Sequence, residues 1–466
     1  MPSEAEHPRT VLDLVGRTPV VPLRRVGADC GYRLLAKLEF LNPGGSVKDR
    51  IGVHLVDEAE ASGKLRPGGT IVEATSGNTG VGLAMVAAVR GYRAVIVIPD
   101  KMSTEKIRVL RAFGARVLVT PSRLPPEHPM SHYSVARRLA LEIPGAFYAN
   151  QFENPANPEA HYRTTGPEID RDGGPSLSAV VATVGTGGTV SGIGRYFKER
   201  RSDVRIVAVD PKGSILGPYF RTRQMVRPHP YLVEGIGEDI LPATMQYEFV
   251  DEFVEVEDAE SFAMARRLVR EEGLFVGGSS GSAVCGALRW LGGSPVPKGS
   301  TVVIVLPDSG DRYLSTFYSE GWLQENRIAA QPGTARDLLG LKTGVPAIVG
   351  FAPDTVIRSA LEQMTLHRIA SAPIVSGREN LGSIQEDEVL RRALQDETIL
   401  ERTVAAVLGP AFPELDASTP VRDVLQTLRE GRPVVVRDGS GGPVVGVLTR
   451  HDLLAFLSVP GDDDAV

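Results

Sequence analysis

Lys48 is the first residue in this chain whose type and setting suggest chemistry. It lies in Asn42–Arg50, NPGGSVKDR, a glycine turn that opens a helical stretch. Glycines admit close approach to the backbone, and a desolvated lysine amine is a nucleophile that forms Schiff bases with aldehydes. Alone, such a lysine is more simply a solvated helix-start residue paired with Asp49. Four further segments shift that weighing. Thr75–Gly80, TSGNTG, follows the apolar run IVEA and sets hydroxyls and amides at a helix start, an anion site suited to a carboxylate. Asn78 adds an amide donor; plain capping by Thr75 or Ser76 accounts for the segment equally well. Gly185–Thr189, GTGGT, stands between the strand run SAVVATV and the helical VSGIGRYFKER. That arrangement makes a phosphate cradle from backbone amides and the hydroxyls of Thr186 and Thr189. It is not a Walker loop, and Val190 stands where a dinucleotide fingerprint needs its last glycine. Gly277–Ser282, GGSSGS, precedes an apolar helix, where a hydroxyl either reaches a ring nitrogen or caps the helix. Leu306–Thr316, LPDSGDRYLST, ends an apolar strand and so lies on a ligand-facing edge.

Positioning these segments requires a scaffold, and residues 11–323 alternate short apolar runs with helical patterns. Arg33–Glu39, Ala94–Pro99, Ala179–Val184, Arg205–Asp210 and Thr301–Pro307 read as strands covered on both faces. Thr104–Phe113 and Ala259–Glu272 read as helices between them. The fold class is therefore α/β with parallel sheets, whose ligands sit beyond the strands' carboxyl ends. Near 326–333 periodicity stops. Beyond it, residues 354–390 and 418–454 repeat one order: capped helix, β-run, turn, β-run, helix. Two copies of so small a unit are expected to bury one shared core. The division expected is residues 1–325 as a catalytic domain, with a smaller inserted subdomain at about 45–150. A linker follows at 326–336, then a module at 337–466 with repeats at about 337–395 and 403–460.

Taken in order, the five segments resemble the cysteine synthase/cystathionine β-synthase family of fold-type II pyridoxal-phosphate enzymes, over about residues 11–323. The resemblance implies a tryptophan synthase β-like core of two subdomains. It implies that Lys48 carries the cofactor as a Schiff base and acts as general base, and that Asn78 faces the cofactor's phenolic oxygen. Gly185, Thr186, Gly187, Gly188 and Thr189 would bind its phosphate, and Ser279 its pyridine nitrogen. Thr75, Ser76, Thr79 and Gln151 would hold the substrate carboxylate. The implied activity is β-replacement through an aminoacrylate: serine and homocysteine condensed to cystathionine and water, a transsulfuration step. Val209–Pro218 and Tyr231–Pro242 favour that branch, whereas ANQFENPANPEAHYRTTGPEI is closer to the sulfhydrylases. A tyrosine often follows the family's Glu-Gly-x-Gly loop; here Glu238 takes its place, while Glu234 is an ordinary loop carboxylate or an aid to the amine or thiol. The C-terminal repeats resemble a tandem CBS-domain (Bateman) module. Its T-x-x-D pattern puts Thr449 and Asp452 on a ribose of S-adenosylmethionine or an adenine nucleotide, unless Thr449 merely caps a helix. The first repeat has Glu386 in the equivalent place.

Composition bounds the alternatives. With 466 residues, 42% hydrophobic and 23% charged, the chain is an ordinary globular protein of two or three domains. A net charge of -6 argues against nucleic acid as an obligate partner, and no apolar run reaches the roughly 20 residues of a membrane span. The polar N-terminus, lacking a signal-peptide pattern, and only two cysteines, Cys30 and Cys285, suggest the cytoplasm. No metal site is expected. The haem-binding extension of some animal family members has no counterpart in the roughly ten residues before Val11, so no haem is expected. The partners expected are amino-acid and thiol substrates and a second copy of the chain, in a homodimer or higher oligomer. The rival enzyme reading is cysteine synthesis from O-acetylserine and sulfide; a dehydratase would need an unattacked aminoacrylate to escape. Outside that class stand an adenosine-nucleotide sensor and a dinucleotide-binding oxidoreductase, which leaves Lys48 unexplained.

Overall fold

A computed structural model describes residues 9–293, 296–326, 328, 334–340, 342, 346, 348–429, 431–439 and 441–452. Much of the linker expected at 326–336, and residues 453–460 of the second repeat, lie outside the described residues. The chain forms two compact units, Met1–Leu323 and Gln324–Val466. Among the described residues no helix is long and apolar enough to cross a membrane.

The first unit opens with β1 (Val20–Pro22), β2 (Arg33–Leu38) and α1 (Lys48–Ala61). It continues with β3 (Thr70–Ala74), α2 (Asn78–Arg90), β4 (Arg93–Pro99), α3 (Thr104–Ala112), β5 (Arg116–Thr120), α4 (His132–Glu142) and β6 (Ala146–Tyr148). Next come α5 (Ala156–Arg163), α6 (Thr165–Gly173), β7 (Leu177–Thr183), α7 (Gly188–Arg200), β8 (Arg205–Pro211) and α8 (Leu216–Thr222). The unit closes with β9 (Glu252–Val256), α9 (Asp258–Glu272), α10 (Gly278–Leu291) and β10 (Thr301–Leu306), and α11 (Glu320–Glu325) runs across its boundary. Two sheets result, ordered β1-β2-β10-β7-β8-β9 and β5-β4-β3-β6. Every pairing is parallel except β1 with β2.

Both sheets are covered on both faces, which explains their unbroken apolar strands. All six residues of β10, TVVIVL, are buried. Side chains alternate across the pleat, so neighbours in sequence enter different cores. Val181, Val207 and Ile304 pack with Ala283, Val284 and Ala287 of α10, while Val180, Ile206 and Val303 pack with Ile193 and Phe197 of α7. In the smaller sheet Ile71 and Ile96 meet Leu55 and Leu83, whereas Val72 and Val95 meet Val135 and Ala136. Strand bounds read from the sequence agree with these to within two residues; Glu39 leaves β2 to begin a 3-10 turn.

The second unit comprises α12 (Ala335–Gly340), α13 (Ile357–Leu366), β11 (Ser371–Ser376), β12 (Glu379–Gln385), α14 (Glu386–Ala393), β13 (Glu414–Asp416), α15 (Val421–Leu428), β14 (Val434–Arg437) and β15 (Val444–Leu448). The repeat is there, but the expectation of one shared core is corrected. Ile357, Ala360, Ile374 and Ile384 form one core, and Val424, Leu428, Val434 and Leu448 another. A helix on a short hairpin cannot close its own apolar face, so each core borrows a segment that precedes the other repeat. Val404 and Val407 complete the first core; Ala335, Leu338 and Leu339 complete the second.

Beneath the start of α1 lies a buried ion network. Arg50 Nε and Nη2 donate to both oxygens of Glu39 at 2.7 and 2.8 Å, and Nη1 and Nη2 to both oxygens of Glu168 at 2.8 Å. Lys37 Nζ donates to Glu168 at 2.7 Å and to the Thr18 carbonyl at 2.6 Å. Asn42 Nδ2 donates to Glu39, and Asn42 Oδ1 accepts from the Gly16 amide. Burial by itself would raise the Glu168 pKa, but hydrogen bonds and charge from Arg50, then Lys37, bring it down to about 2. The network ties β2, α1, α6 and the N-terminal segment together, and removal of one partner strands the others in low dielectric. Arg50→Met is expected to lower stability by about 3–5 kcal/mol in urea unfolding. Arg90→Met, at the more exposed pairs with Asp57 and Glu60, should cost less than about 1 kcal/mol. Because the folded pKa of Glu168 lies below its ordinary 4.5, its contribution is whole above that value and is lost as pH falls toward about 2. Acid unfolding of Glu168→Gln should accordingly be shallower through that window.

Candidate active site

The loops that follow β2, β3, β7 and β10 converge where the carboxyl ends of the two sheets meet. Val47 N donates to the Pro307 carbonyl at 2.8 Å, and Ser46 bridges Asp308, so the turn before Lys48 is stitched to the end of β10. The glycines of that turn are dictated by space. Gly45 has φ +80°, and a Cβ on Gly44 would stand 2.5 Å from Asp49 Oδ1. Asp49 Oδ2 accepts from the Gly44 amide at 2.6 Å, and Ser46 Oγ accepts from the Lys48 amide at 3.2 Å. Lys48 is thereby the first residue of α1, with its side chain in a cleft also lined by Asn78, Gly185, Thr189, Glu234 and Ser279. Burial lowers the pKa of its amine to about 8, against the opposing charges of Asp308 and Glu238.

Asn78 sits at the first turn of α2, held on both sides. Its Oδ1 accepts from Arg312, and its Nδ2 donates to Asp308 Oδ2 at 2.8 Å. The same Asp308 oxygen accepts from Tyr313 at 2.5 Å. Asn78 Nδ2 has no second partner among the described residues. Thr75 Oγ1 accepts from the Gly77 amide at 3.0 Å, and Ser76 stands near Gly235 on the cleft wall. Thr79 Oγ1 donates to Gln151 Oε1 at 2.6 Å, and Gln151 Nε2 donates to the Ala74 carbonyl at 3.2 Å. The four residues chosen for a carboxylate thus fall on adjoining loops, with Thr79 and Gln151 bonded to each other.

Gly185–Thr189 spans the step from β7 to α7. The amides of Gly185, Thr186 and Gly187 have no hydrogen-bond partner among the described residues. Gly187 is left-handed at φ +79°, and a Cβ on Gly188 would stand 2.0 Å from Asn157 Oδ1. Asn157 Nδ2 donates to Thr186 Oγ1 at 3.0 Å, while Thr189 Oγ1 and His161 Nε2 are 3.1 Å apart. Burial, then the charge of Lys48, holds His161 well below its usual pKa, so it meets the loop as a neutral ring. Free amides at a helix start, with neutral side chains beneath, suit a phosphate group. Ser279, the second residue of α10, is 3% exposed, and its hydroxyl has no hydrogen-bond partner among the described residues. A nucleophilic amine, an open amide cradle and an unpaired hydroxyl around one cleft fit an aldehyde-bearing cofactor with a phosphate and a ring nitrogen.

Sequence reading passed over the groups that hold these. Asp308 and Arg312 lie in a recognised segment but had no role, and Lys106 was unmarked. Lys106 is buried, with Nζ 2.8 Å from Glu234 and 4.7 Å from the centre of the Tyr313 ring. Asn157 and His161, four apart on α5, share the helix face toward the phosphate loop; that spacing was a usable signal. Glu238 lies on a neighbouring loop within electrostatic reach of Lys48. Thr449 and Asp452 belong to the other unit, where Asp452 Oδ2 accepts from Thr449 N and Oγ1 at 2.7 and 2.8 Å and lies 3.3 Å from Lys342 Nζ.

A family model described as pyridoxal-phosphate dependent enzyme matches residues 11–308, and one described as CBS domain matches residues 404–459. The chain is 34% identical to a cystathionine beta-synthase of Dictyostelium discoideum, over 96% of this chain and 92% of that protein. It is 37% identical to the cystathionine beta-synthase of Oryctolagus cuniculus, over 97% of this chain and 85% of the other. Among solved structures, the O-acetylserine dependent cystathionine beta-synthase of Helicobacter pylori matches with a TM-score of 0.61 and 40% identity, over 67% of this chain and 99% of that one. The chain therefore belongs to the pyridoxal-phosphate dependent enzymes, within the family of the cystathionine β-synthases, and carries a C-terminal CBS domain.

Proposed function

We propose that the protein replaces the β-hydroxyl of L-serine with the thiol of L-homocysteine, yielding L-cystathionine and water, with pyridoxal phosphate attached at Lys48. The observation that carries this reading is one cleft holding a lysine amine of lowered pKa beside Gly185, Thr189 and Ser279, where the amides of Gly185–Gly187 and the Ser279 hydroxyl have no hydrogen-bond partner among the described residues. Relatives over nearly the whole chain support the choice of substrates. The bound cofactor supplies an aldehyde for the donor's amine and an electron-withdrawing ring that acidifies its Cα–H bond.

The chain's own residues supply the rest. Gly185, Thr186, Gly187, Gly188 and Thr189 would hold the phosphate, and Ser279 would offer the pyridine nitrogen a neutral hydroxyl in place of a carboxylate. Asn78, fixed by Asp308 and Arg312, directs its remaining amide hydrogen at the phenolic oxygen. Thr75, Ser76, Thr79 and Gln151 take the donor's carboxylate. Lys48 Nζ removes the proton from Cα and returns one there after the thiol has added. At a pKa of about 8 the amine is available as a base near neutral pH. A second reading takes O-acetylserine as the donor, in keeping with the O-acetylserine dependent cystathionine beta-synthase of Helicobacter pylori. In the second unit, Thr449 and Asp452 hold the ribose of S-adenosylmethionine or an adenine nucleotide, and the protein works as a homodimer or larger homo-oligomer.

Steady-state assays of serine or O-acetylserine against homocysteine or sulfide should give the highest kcat/KM for serine with homocysteine; a maximum for O-acetylserine with sulfide would make the protein a cysteine synthase. Lys48→Ala should lose about 10²–10⁴-fold in kcat. Borohydride followed by peptide mapping should mark Lys48 in the unsubstituted protein. Cofactor uptake by the apo-protein should accelerate as pH rises and level off above about 8, where the amine has lost its proton; an inflection near 10.5 would contradict the lowered pKa. Calorimetric titration with S-adenosylmethionine, ATP and AMP should give heat with at least one ligand, diminished by Asp452→Ala. Silence with all three would leave the second unit a purely structural part.

A further inference from the structure

We propose that Glu238 selects the second substrate by taking its ammonium group, so that the preferred nucleophile is a thiol that is itself an amino acid. This rests on the β-replacement reading above and supplies the recognition element it lacks. The loop carrying Glu238 is rigidly placed. Gly235 and Gly237 have φ +82° and +73°, and Gly237 N donates to the Val184 carbonyl at 2.7 Å. Glu238 N donates to Ser214 Oγ at 3.1 Å, and its carbonyl accepts from Ile215 N at 3.0 Å. Its carboxylate therefore keeps a set position relative to the phosphate loop: a Cβ built on Gly185 would stand 3.7 Å from Glu238 Oε1. Gly185, Gly235 and Ile236 all line the cleft.

That carboxylate is under-used. Oε2 accepts one long hydrogen bond, 3.4 Å, from the Tyr133 hydroxyl on α4, and Oε1 accepts none from any described residue. Glu234, four residues earlier, differs sharply: Lys106 Nζ lies 2.8 Å from it. The titratable and charged groups facing Glu238 are Asp239, Asp210, Tyr133, Tyr231, Lys101 and the Lys48 amine. Asp239 and Asp210 both oppose ionisation of Glu238, against Lys101. Burial first, then Asp239, raises the carboxyl to about 8, with only partial relief from Tyr133 and Lys101. Near neutral pH the empty site therefore holds this half-buried group largely as the acid, and an incoming ammonium gains by displacing that proton and pairing with the carboxylate, one of whose oxygens is spare. The donor offers none, because its amine goes to the cofactor and its carboxylate to the loop at 75–79. Homocysteine brings an ammonium; sulfide brings nothing for Glu238 to hold.

The test compares two ligands on the cofactor-loaded protein by calorimetric titration: L-cystathionine and S-(3-carboxypropyl)-L-cysteine, which differ only in the distal ammonium. The unsubstituted protein should bind L-cystathionine about tenfold more tightly, the worth of one hydrogen bond to a charged group. Glu238→Gln should abolish that preference, and Glu238→Asp should restore part of it. The ratio of kcat/KM for homocysteine over 4-mercaptobutyrate should move in parallel. Equal affinity of the unsubstituted protein for both compounds, or an undiminished preference in Glu238→Gln, overturns this inference alone. Binding of neither compound overturns the β-replacement reading and this inference with it.

Discussion

An ammonium group moved from water into the cleft between two parallel sheets loses hydration that a few neighbouring carboxylates do not replace. At Lys48 this loss outweighs the charges of Asp308 and Glu238 and leaves the amine with a pKa of about 8. Everything else about the catalytic unit follows from having to place that amine and keep it uncharged enough to react. The turn before it needs Gly44 and Gly45, since side chains there would collide with Asp49 and Arg312. The helix it begins is anchored two residues later by Arg50, which spends its charge on Glu39 and Glu168 on the far side of the turn.

Two kinds of carboxylate are kept apart by this layout. Glu39 and Glu168 are saturated by Arg50 and Lys37 and hold elements together. Glu238 lacks a close cation and is raised to about 8, chiefly by burial. The first kind stabilises the fold; the second leaves electrostatic work for a ligand to complete. Asp308 stands between them. Asn78 and Tyr313 both donate to one of its oxygens, so that it positions the amide at the cleft while it supports the lysine's charge.

The second unit solves a different problem. A helix on a two-stranded hairpin has too little apolar surface to fold alone. Each repeat is closed by residues that precede the other in the chain, Val404 and Val407 for the first and Leu338 and Leu339 for the second. Excising either repeat with the segment before it would therefore open the core of its neighbour.

Strand and helix positions were legible in the sequence because burial on both faces leaves a local record. β10 is six apolar residues in a row, and α9 keeps a helical pattern from a capping box at Glu257 to a left-handed Gly273. Three of the chemical segments, those of Lys48, Asn78 and Thr186, were legible for the same reason, each being a strand end, a glycine turn and a helix start within ten residues. Partnerships were not. Arg312 reaches Asn78 across 234 positions, and Lys106 reaches Glu234 across 128. Nor could periodicity tell that Lys37, inside an apolar strand, is a buried cation facing Glu168, or that Glu238 has an oxygen to spare. Pattern along a chain reports whether a side chain leaves water; which charge awaits it there is decided only when distant segments close around it.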